Sequence, residues 1–224
     1  MIDRALTETI AARLEVLRAR IIRAGGDGVT IVGVTKRHPI EVLHAAVAVG
    51  LGDLGENYAQ ELAAKAATPG FAALGARIHF IGQLQSNKVR VVAPLVDVVQ
   101  TVDRPALVRE LARRAPGASV MVQVDLAGRP GRGGATFEEA PVLHEAAIAA
   151  GLAVVGVMGV GSPPGSEAER RQVMRSFERL RALRDELGVS ECSMGMSDDL
   201  DDAVSAGSTM VRVGSALFGP RPTT

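Results

Sequence analysis

Apolar residues recur at Leu6, Ile10, Leu14, Leu17 and Ile21, in steps of four, four, three and four. That spacing puts them on one face of an amphipathic helix, which the pair Gly25-Gly26 ends. The period then changes. Val29-Thr30-Ile31-Val32-Gly33-Val34-Thr35 is a continuous apolar, β-branched run, as expected of a strand buried on both faces of a parallel sheet. Pro39 suits a first helical turn, and Ile40 to Val49 reads as a helix up to Gly50.

The same alternation repeats along the chain. Further strands are predicted at Leu51–Gly55, Arg77–Ile81, Asp97–Val102, Ser119–Leu126, Ala153–Met158, Glu191–Met194 and Thr209–Val213. Helical stretches lie between them, among them Arg104–Arg114, Glu138–Ala150 and Glu167–Leu187, the last with Val173, Phe177, Leu180, Leu183 and Leu187 in helical spacing. With the first run this makes eight strands, each followed by a helix or a helical turn. The pattern predicts an α/β fold: one (β/α)8 TIM barrel with an extra N-terminal helix, residues 1–224 forming a single domain. A doubly wound open sheet is the alternative, because periodicity does not reveal closure. Gly128–Gly134 and Gly159–Gly165 are the expected flexible loops.

Composition narrows the function classes. Twenty-five basic and 25 acidic residues give a net charge of zero, which argues against nucleic acid or an anionic membrane as partner. Aromatics are only 3% and Trp is absent, so Val, Ile, Leu, Ala and Met must fill the core. One cysteine, Cys192, excludes an internal disulfide and a cysteine-based zinc site. The N-terminus, with Asp3, Arg4, Glu8 and Arg13, does not read as a signal peptide, and no run of 18 apolar residues is present. The expectation is a cytoplasmic monomer.

Barrel active sites sit at the C-terminal ends of the strands. There the first strand delivers Lys36, the second Glu56 and Asn57, the third Gln83, the fourth Asp103, and the last Arg212, Gly214 and Ser215. Lys36 has two readings: a surface lysine just past a strand, or a primary amine that attacks an aldehyde. Attack at neutral pH requires a pKa roughly 3.4 units below the free value of about 10.4, a cost of about 4.6 kcal/mol. Burial and a neighbouring cation such as Arg212 would help. Gly214 permits close backbone approach, and the N–H groups after it can cradle a phosphate, although a Gly-Ser turn also simply ends strands. Ser197 either caps the helix near Leu200 or joins that phosphate site. Asp198, Asp199, Asp201 and Asp202 read as a solvated helix start. The histidines at 38, 44, 79 and 144 lack metal-ligand spacing, and Gly159-x-Gly161 before Pro163-Pro164 does not fit a dinucleotide site. Lys65 reads as ordinary surface charge on a helix, and Lys88 has no assigned role.

Taken together, several segments are specific. Val32-Gly33-Val34-Thr35-Lys36, Gly52-Asp53-Leu54-Gly55-Glu56-Asn57-Tyr58-Ala59-Gln60-Glu61 and His79-Phe80-Ile81-Gly82-Gln83-Leu84-Gln85-Ser86-Asn87-Lys88 occur in that order. Ser193-Met194-Gly195-Met196-Ser197-Asp198-Asp199 and Gly207-Ser208-Thr209-Met210-Val211-Arg212-Val213-Gly214 follow them. Over essentially its whole length the sequence resembles the pyridoxal 5′-phosphate (PLP) homeostasis proteins, the YggS/PROSC-like family. The resemblance implies a barrel like the N-terminal domain of alanine racemase. It implies PLP held as a Schiff base on Lys36, Asn57 beside the cofactor, Ser197, Gly214 and Ser215 at its phosphate, and Arg212 at the pyridine nitrogen. It also implies a role in intracellular vitamin B6 homeostasis without catalysis, and transient contact with PLP-dependent apo-enzymes.

Two departures from the family pattern stand out: Asp125–Gly134 replaces an Asn, Glu, Lys-Ser-Gly loop, and Ile78 stands where a Trp is frequent. The alternatives are a small PLP-dependent amino-acid racemase or lyase, with Tyr58, His79 or Asp103 as second proton donor, and an aldolase-like barrel in which Lys36 attacks a phosphosugar.

Overall fold

The computed structural model describes residues 3–127, 133–161 and 165–220. Eight parallel strands form a closed barrel in sequence order: β1 (Thr30–Val34), β2 (Asp53–Glu56), β3 (Arg77–Phe80), β4 (Val98–Val102), β5 (Ser119–Val124), β6 (Ala153–Gly159), β7 (Glu191–Ser193) and β8 (Met210–Val213). Closure is made by β8 pairing back on β1, Thr30 opposite Met210 and Gly33 opposite Val213. The open-sheet alternative is thereby excluded.

Helices surround the barrel: α1 (Arg4–Arg23), α2 (Ile40–Ala48), α3 (Ala59–Ala66), α4 (Val89–Val92), α5 (Pro105–Arg114), α6 (Ala140–Ala149), α7 (Glu167–Leu187), α8 (Leu200–Ser205) and α9 (Ser215–Phe218). The extra helix α1 starts at Asp3, whose Oδ1 accepts the N–H of Ala5 and of Leu6. It buries Ile10, Leu14, Leu17 and Ile21 of the predicted stripe, with Leu6 half-buried. Among the described residues no helix is long and apolar enough to cross a membrane.

Most strand ends fall within one residue of the sequence pattern, and two differ by two residues, each for a local reason. Leu51 is buried but precedes β2; its side chain fills the space where Gly33 has no Cβ, 2.5 Å from where that atom would lie. β5 stops at Val124 because the N–H of Asp125 turns to the carbonyl of Ala135. Of the two expected loops, residues 128–132 and 162–164 lie outside the described residues.

Most of the apolar core lies between strands and helices. Inside the barrel, Val32, Val98, Met121, Met158 and Met210 form a second, smaller cluster. Side chains alternate across a strand, so residues sharing the parity of these five also point inward. His79, Gln100, Gln123, Ser193 and Arg212 have that parity and are buried. The barrel interior is therefore apolar and polar by turns.

Candidate functional site

Strand register decides which residues meet at the C-terminal rim. Val34 pairs with Gly55, so Lys36 and Asn57 each lie two residues beyond a paired position. Gly33 pairs with Val213, so Gly214 lies one beyond, and a Cβ there would sit 3.5 Å from the Val34 carbonyl oxygen. Lys36 and Asn57 are both half-buried. The Oδ1 of Asn57 is buried with no partner among the described residues. After Gly214, the N–H groups of Ser215 and Ala216 open α9 without an acceptor among the described residues.

Ser197 lies in the β7–α8 loop, which the N–H of Arg212 ties to β8 through the Gly195 carbonyl at 3.0 Å. Its hydroxyl does not cap the helix. Asp199 occupies the N-cap position, and the Ser197 carbonyl accepts from Arg20 Nη1 at 2.9 Å.

Beneath the rim, Arg212 is 4% exposed. Its Nη1 donates to Ser193 Oγ at 2.7 Å and its Nη2 to the Gly159 carbonyl at 2.8 Å. Burial pulls the guanidinium down to about 10, against the opposing pull of Asp199, so it stays cationic at neutral pH. Ser193 Oγ in turn donates to Gln100 Oε1 at 2.8 Å, and Gln100 Nε2 lies 2.9 Å from His79 Nδ1. His79 Nε2 lies 2.8 Å from Asp53 Oδ1. With Gln100 donating to Nδ1, His79 carries its proton on Nε2 and donates it to Asp53. A chain of hydrogen bonds with one direction thus crosses the barrel from Arg212 to Asp53.

The acidic helix start is not simply solvated, contrary to the sequence expectation. Asp201 and Asp202 pair with Arg20 and Arg170, but Asp199 is 3% exposed. Its Oδ1 accepts the Met196 N–H at 2.6 Å, while Oδ2 has no partner among the described residues. Burial raises its pKa, with the Met196 N–H and Arg212 acting the other way. A Cβ on Gly161 would come within 2.5 Å of that Oδ2, so glycine is what lets the β6 end approach the carboxyl.

Lys65 is the clearest correction. It is 6% exposed, not a surface charge. Its Nζ donates to Glu56 Oε1 at 2.6 Å, Glu61 Oε1 at 2.7 Å and the Thr35 carbonyl at 2.8 Å. A side chain on a short helix looks the same in sequence whether it faces out or in. The one available signal was the i,i+4 spacing of Glu61 and Lys65 beside the strand-end Glu56. Burial raises the Glu56 pKa, partly offset by Lys65 and by the Thr35 hydroxyl, which donates to it at 2.6 Å. Next to this group Arg37 has φ 62°, a left-handed backbone that costs a non-glycine residue about 1–2 kcal/mol.

The three suggested second proton donors are placed differently from one another. His79 is fully buried in the barrel chain, Tyr58 is 44% exposed, and Asp103 is bonded to Arg104 Nη1 at 2.5 Å. His38 packs on the Phe218 ring, and among the described residues no His, Cys, Asp or Glu cluster could hold a metal ion. Cys192 is buried, and burial pushes its thiol up to about 12.

Comparison with known proteins gives this arrangement its relatives. Residues 7–222 match the model of the alanine racemase N-terminal domain family. A pyridoxal phosphate homeostasis protein of Pseudomonas aeruginosa is 38% identical over 226 residues, covering 95% of this chain and 96% of its own. PipY of Synechococcus elongatus, solved with PLP bound, superposes with a TM-score of 0.77 at 30% identity, covering 94% of this chain and all of that one. An unknown protein from Bifidobacterium adolescentis superposes with a TM-score of 0.88 at 30% identity, over 97% of this chain and 98% of that one. The chain belongs to the pyridoxal phosphate homeostasis protein family, built on the alanine racemase N-terminal-domain barrel.

Proposed function

We propose that this chain binds PLP at the C-terminal rim of its barrel, with Lys36 as the covalent anchor, and serves PLP homeostasis rather than catalysis. The observation that carries the reading is the meeting of Lys36, Asn57 and Gly214 on one rim above the buried Arg212. Relatives named for PLP homeostasis, and one solved with PLP, support it.

The residues fit the group. Asn57 offers a buried amide oxygen with no partner among the described residues, and Ser215 and Ala216 offer two N–H groups without protein acceptors there. When bound, PLP supplies an aldehyde that condenses with a primary amine, releasing water. Lys36 supplies that amine. Ser197, Gly214 and Ser215 take the phosphate, as hydroxyl and N–H donors suit an anion. Asn57 lines the cofactor's edge. Arg212 would hold the side of the cofactor that carries the pyridine nitrogen, where a fixed cation would disfavour protonation and weaken the ring as an electron sink.

That last feature argues against catalysis, as does the state of the candidate second donors. His79 is committed at both nitrogens and Asp103 to Arg104, which leaves the exposed Tyr58 as the one candidate without such a bond among the described residues. The protein works as a cytoplasmic monomer that passes PLP to apo-enzymes in transient contacts. Titration with PLP, followed by visible absorbance, tests the binding: the wild type turns yellow and Lys36→Ala does not. An identical visible spectrum in the variant defeats the reading. Racemisation or elimination by the loaded protein, across a panel of amino acids, would favour the racemase or lyase alternative.

A further inference from the structure

Lys36 stands on a turn that the rest of the chain holds from outside the barrel. Thr35 has the opposite parity to the inward-pointing Val32, so its side chain faces the helix layer. There its hydroxyl donates to Glu56 Oε1, and its carbonyl accepts from Lys65 Nζ. One residue beyond Lys36, the N–H of Arg37 donates to Glu61 Oε1 at 2.5 Å, and the N–H of His38 closes the turn on the Thr35 carbonyl at 3.0 Å. Both neighbours of Lys36 are therefore anchored, through backbone atoms, to one buried group of charges.

At the centre of that group is the Lys65 ammonium. An ammonium has three protons, and Lys65 directs its Nζ to three acceptors: Glu56, Glu61 and the Thr35 carbonyl. With its Nζ bonded to three acceptors inside the helix layer, it is already committed and is no rival amine for an aldehyde. Arg37 is the one non-glycine among the described residues with positive φ, and the bond to Glu61 opposes the relaxation of that strained backbone.

We propose that Lys65, Glu56 and Glu61 form a positioning clamp that holds the 35–37 turn and so sets the reach of the Lys36 amine. The inference rests on the PLP reading above and adds three residues to it, which act on Lys36 through the residues on either side of it. Glu61 is the member to test first. It lies at the protein surface side of the group, with its side chain 22% exposed, so its replacement leaves the buried Lys65–Glu56 pair intact.

The test uses the full chain loaded with PLP and compares Glu61→Ala, Glu61→Gln and Lys65→Met with the wild type. Glutamine keeps an Oε1 acceptor for Arg37 and Lys65; alanine does not. The expected result for Glu61→Ala is slower formation of the borohydride-reducible adduct and a loss of about tenfold or more in PLP affinity, or ~1.4 kcal/mol. Far-UV circular dichroism stays unchanged, and Glu61→Gln restores both readouts toward wild type. Lys65→Met, if it folds, shows a loss at least as large. Wild-type rate and affinity in Glu61→Ala overturn the clamp, as does a Glu61→Gln variant as defective as Glu61→Ala. Absence of a visible band in the wild type, or its persistence in Lys36→Ala, overturns the PLP reading instead.

Discussion

Gly82 lies directly against Asn57: a Cβ at residue 82 would fall 1.9 Å from the Asn57 carbonyl oxygen and 2.7 Å from its carbonyl carbon. Both atoms are backbone, so neither can swing aside. The other side of Gly82 is held too, since its carbonyl accepts the Thr101 hydroxyl at 2.7 Å. Gly82→Ala must therefore push the β2 end outward and carry Asn57 with it. Overpacking of this kind costs typically 1–3 kcal/mol. We expect a lower melting temperature together with weakened PLP retention, measured by thermal unfolding and PLP titration. A variant that unfolds and titrates like the wild type would show that the contact is not structural.

The chain from Arg212 to Asp53 makes Gln100 its keystone. Gln100→Leu removes the acceptor of the Ser193 hydroxyl and the donor to His79 Nδ1, both buried. Leaving such groups unsatisfied costs about 1–3 kcal/mol, and each kcal/mol lowers the melting temperature by roughly 2–4 °C in a chain of this size. An unchanged melting temperature would mean that the chain does not contribute to stability.

Asp199 gives a pH dependence with a definite sign. Its pKa in the fold is raised by burial, so the fold favours the protonated form. The stability it contributes is complete below the ordinary aspartate value of about 3.9 and is lost as pH rises through the raised value. Asp199→Asn keeps an acceptor for the Met196 N–H and cannot ionise. The melting temperature of the variant minus that of the wild type should grow as pH is raised from acid to neutral. A difference independent of pH, or one that shrinks, would reverse the assignment.

Much of this was legible in the sequence, and the reason is local. Helix α7 is legible with both its bounds because Ser166 accepts the Glu169 N–H at its start and Gly188, at φ 66°, ends it in a left-handed turn. The rim residues were legible because they sit at strand ends, and parallel strands in a barrel end on one side. Lys65 was not, because burial of a helical lysine depends on what the helix packs against. Nor was the barrel chain: β4, Val-Val-Gln-Thr-Val, is buried at every residue. Such a strand shows no alternation to mark Gln100 as inward. Closure itself is a property of β8 meeting β1, two segments at opposite ends of the chain.

Cys192 should behave as an inert core residue. It is fully buried and its thiol is pushed up to about 12, whereas the thiolate is the reactive form. A thiol reagent is expected to label it only after denaturation. Rapid labelling of the native protein would show that β7 opens or that the thiol is exposed.

The central claim is that Lys36, among three lysines, carries the cofactor. The most direct measurement is borohydride reduction of the PLP-loaded protein, followed by proteolysis and mass spectrometry. One phosphopyridoxyl group is expected, on the peptide containing Lys36, with Lys65 unmodified. A group on the Lys65 or Lys88 peptide, or no modification in a protein that has taken up PLP, would contradict it.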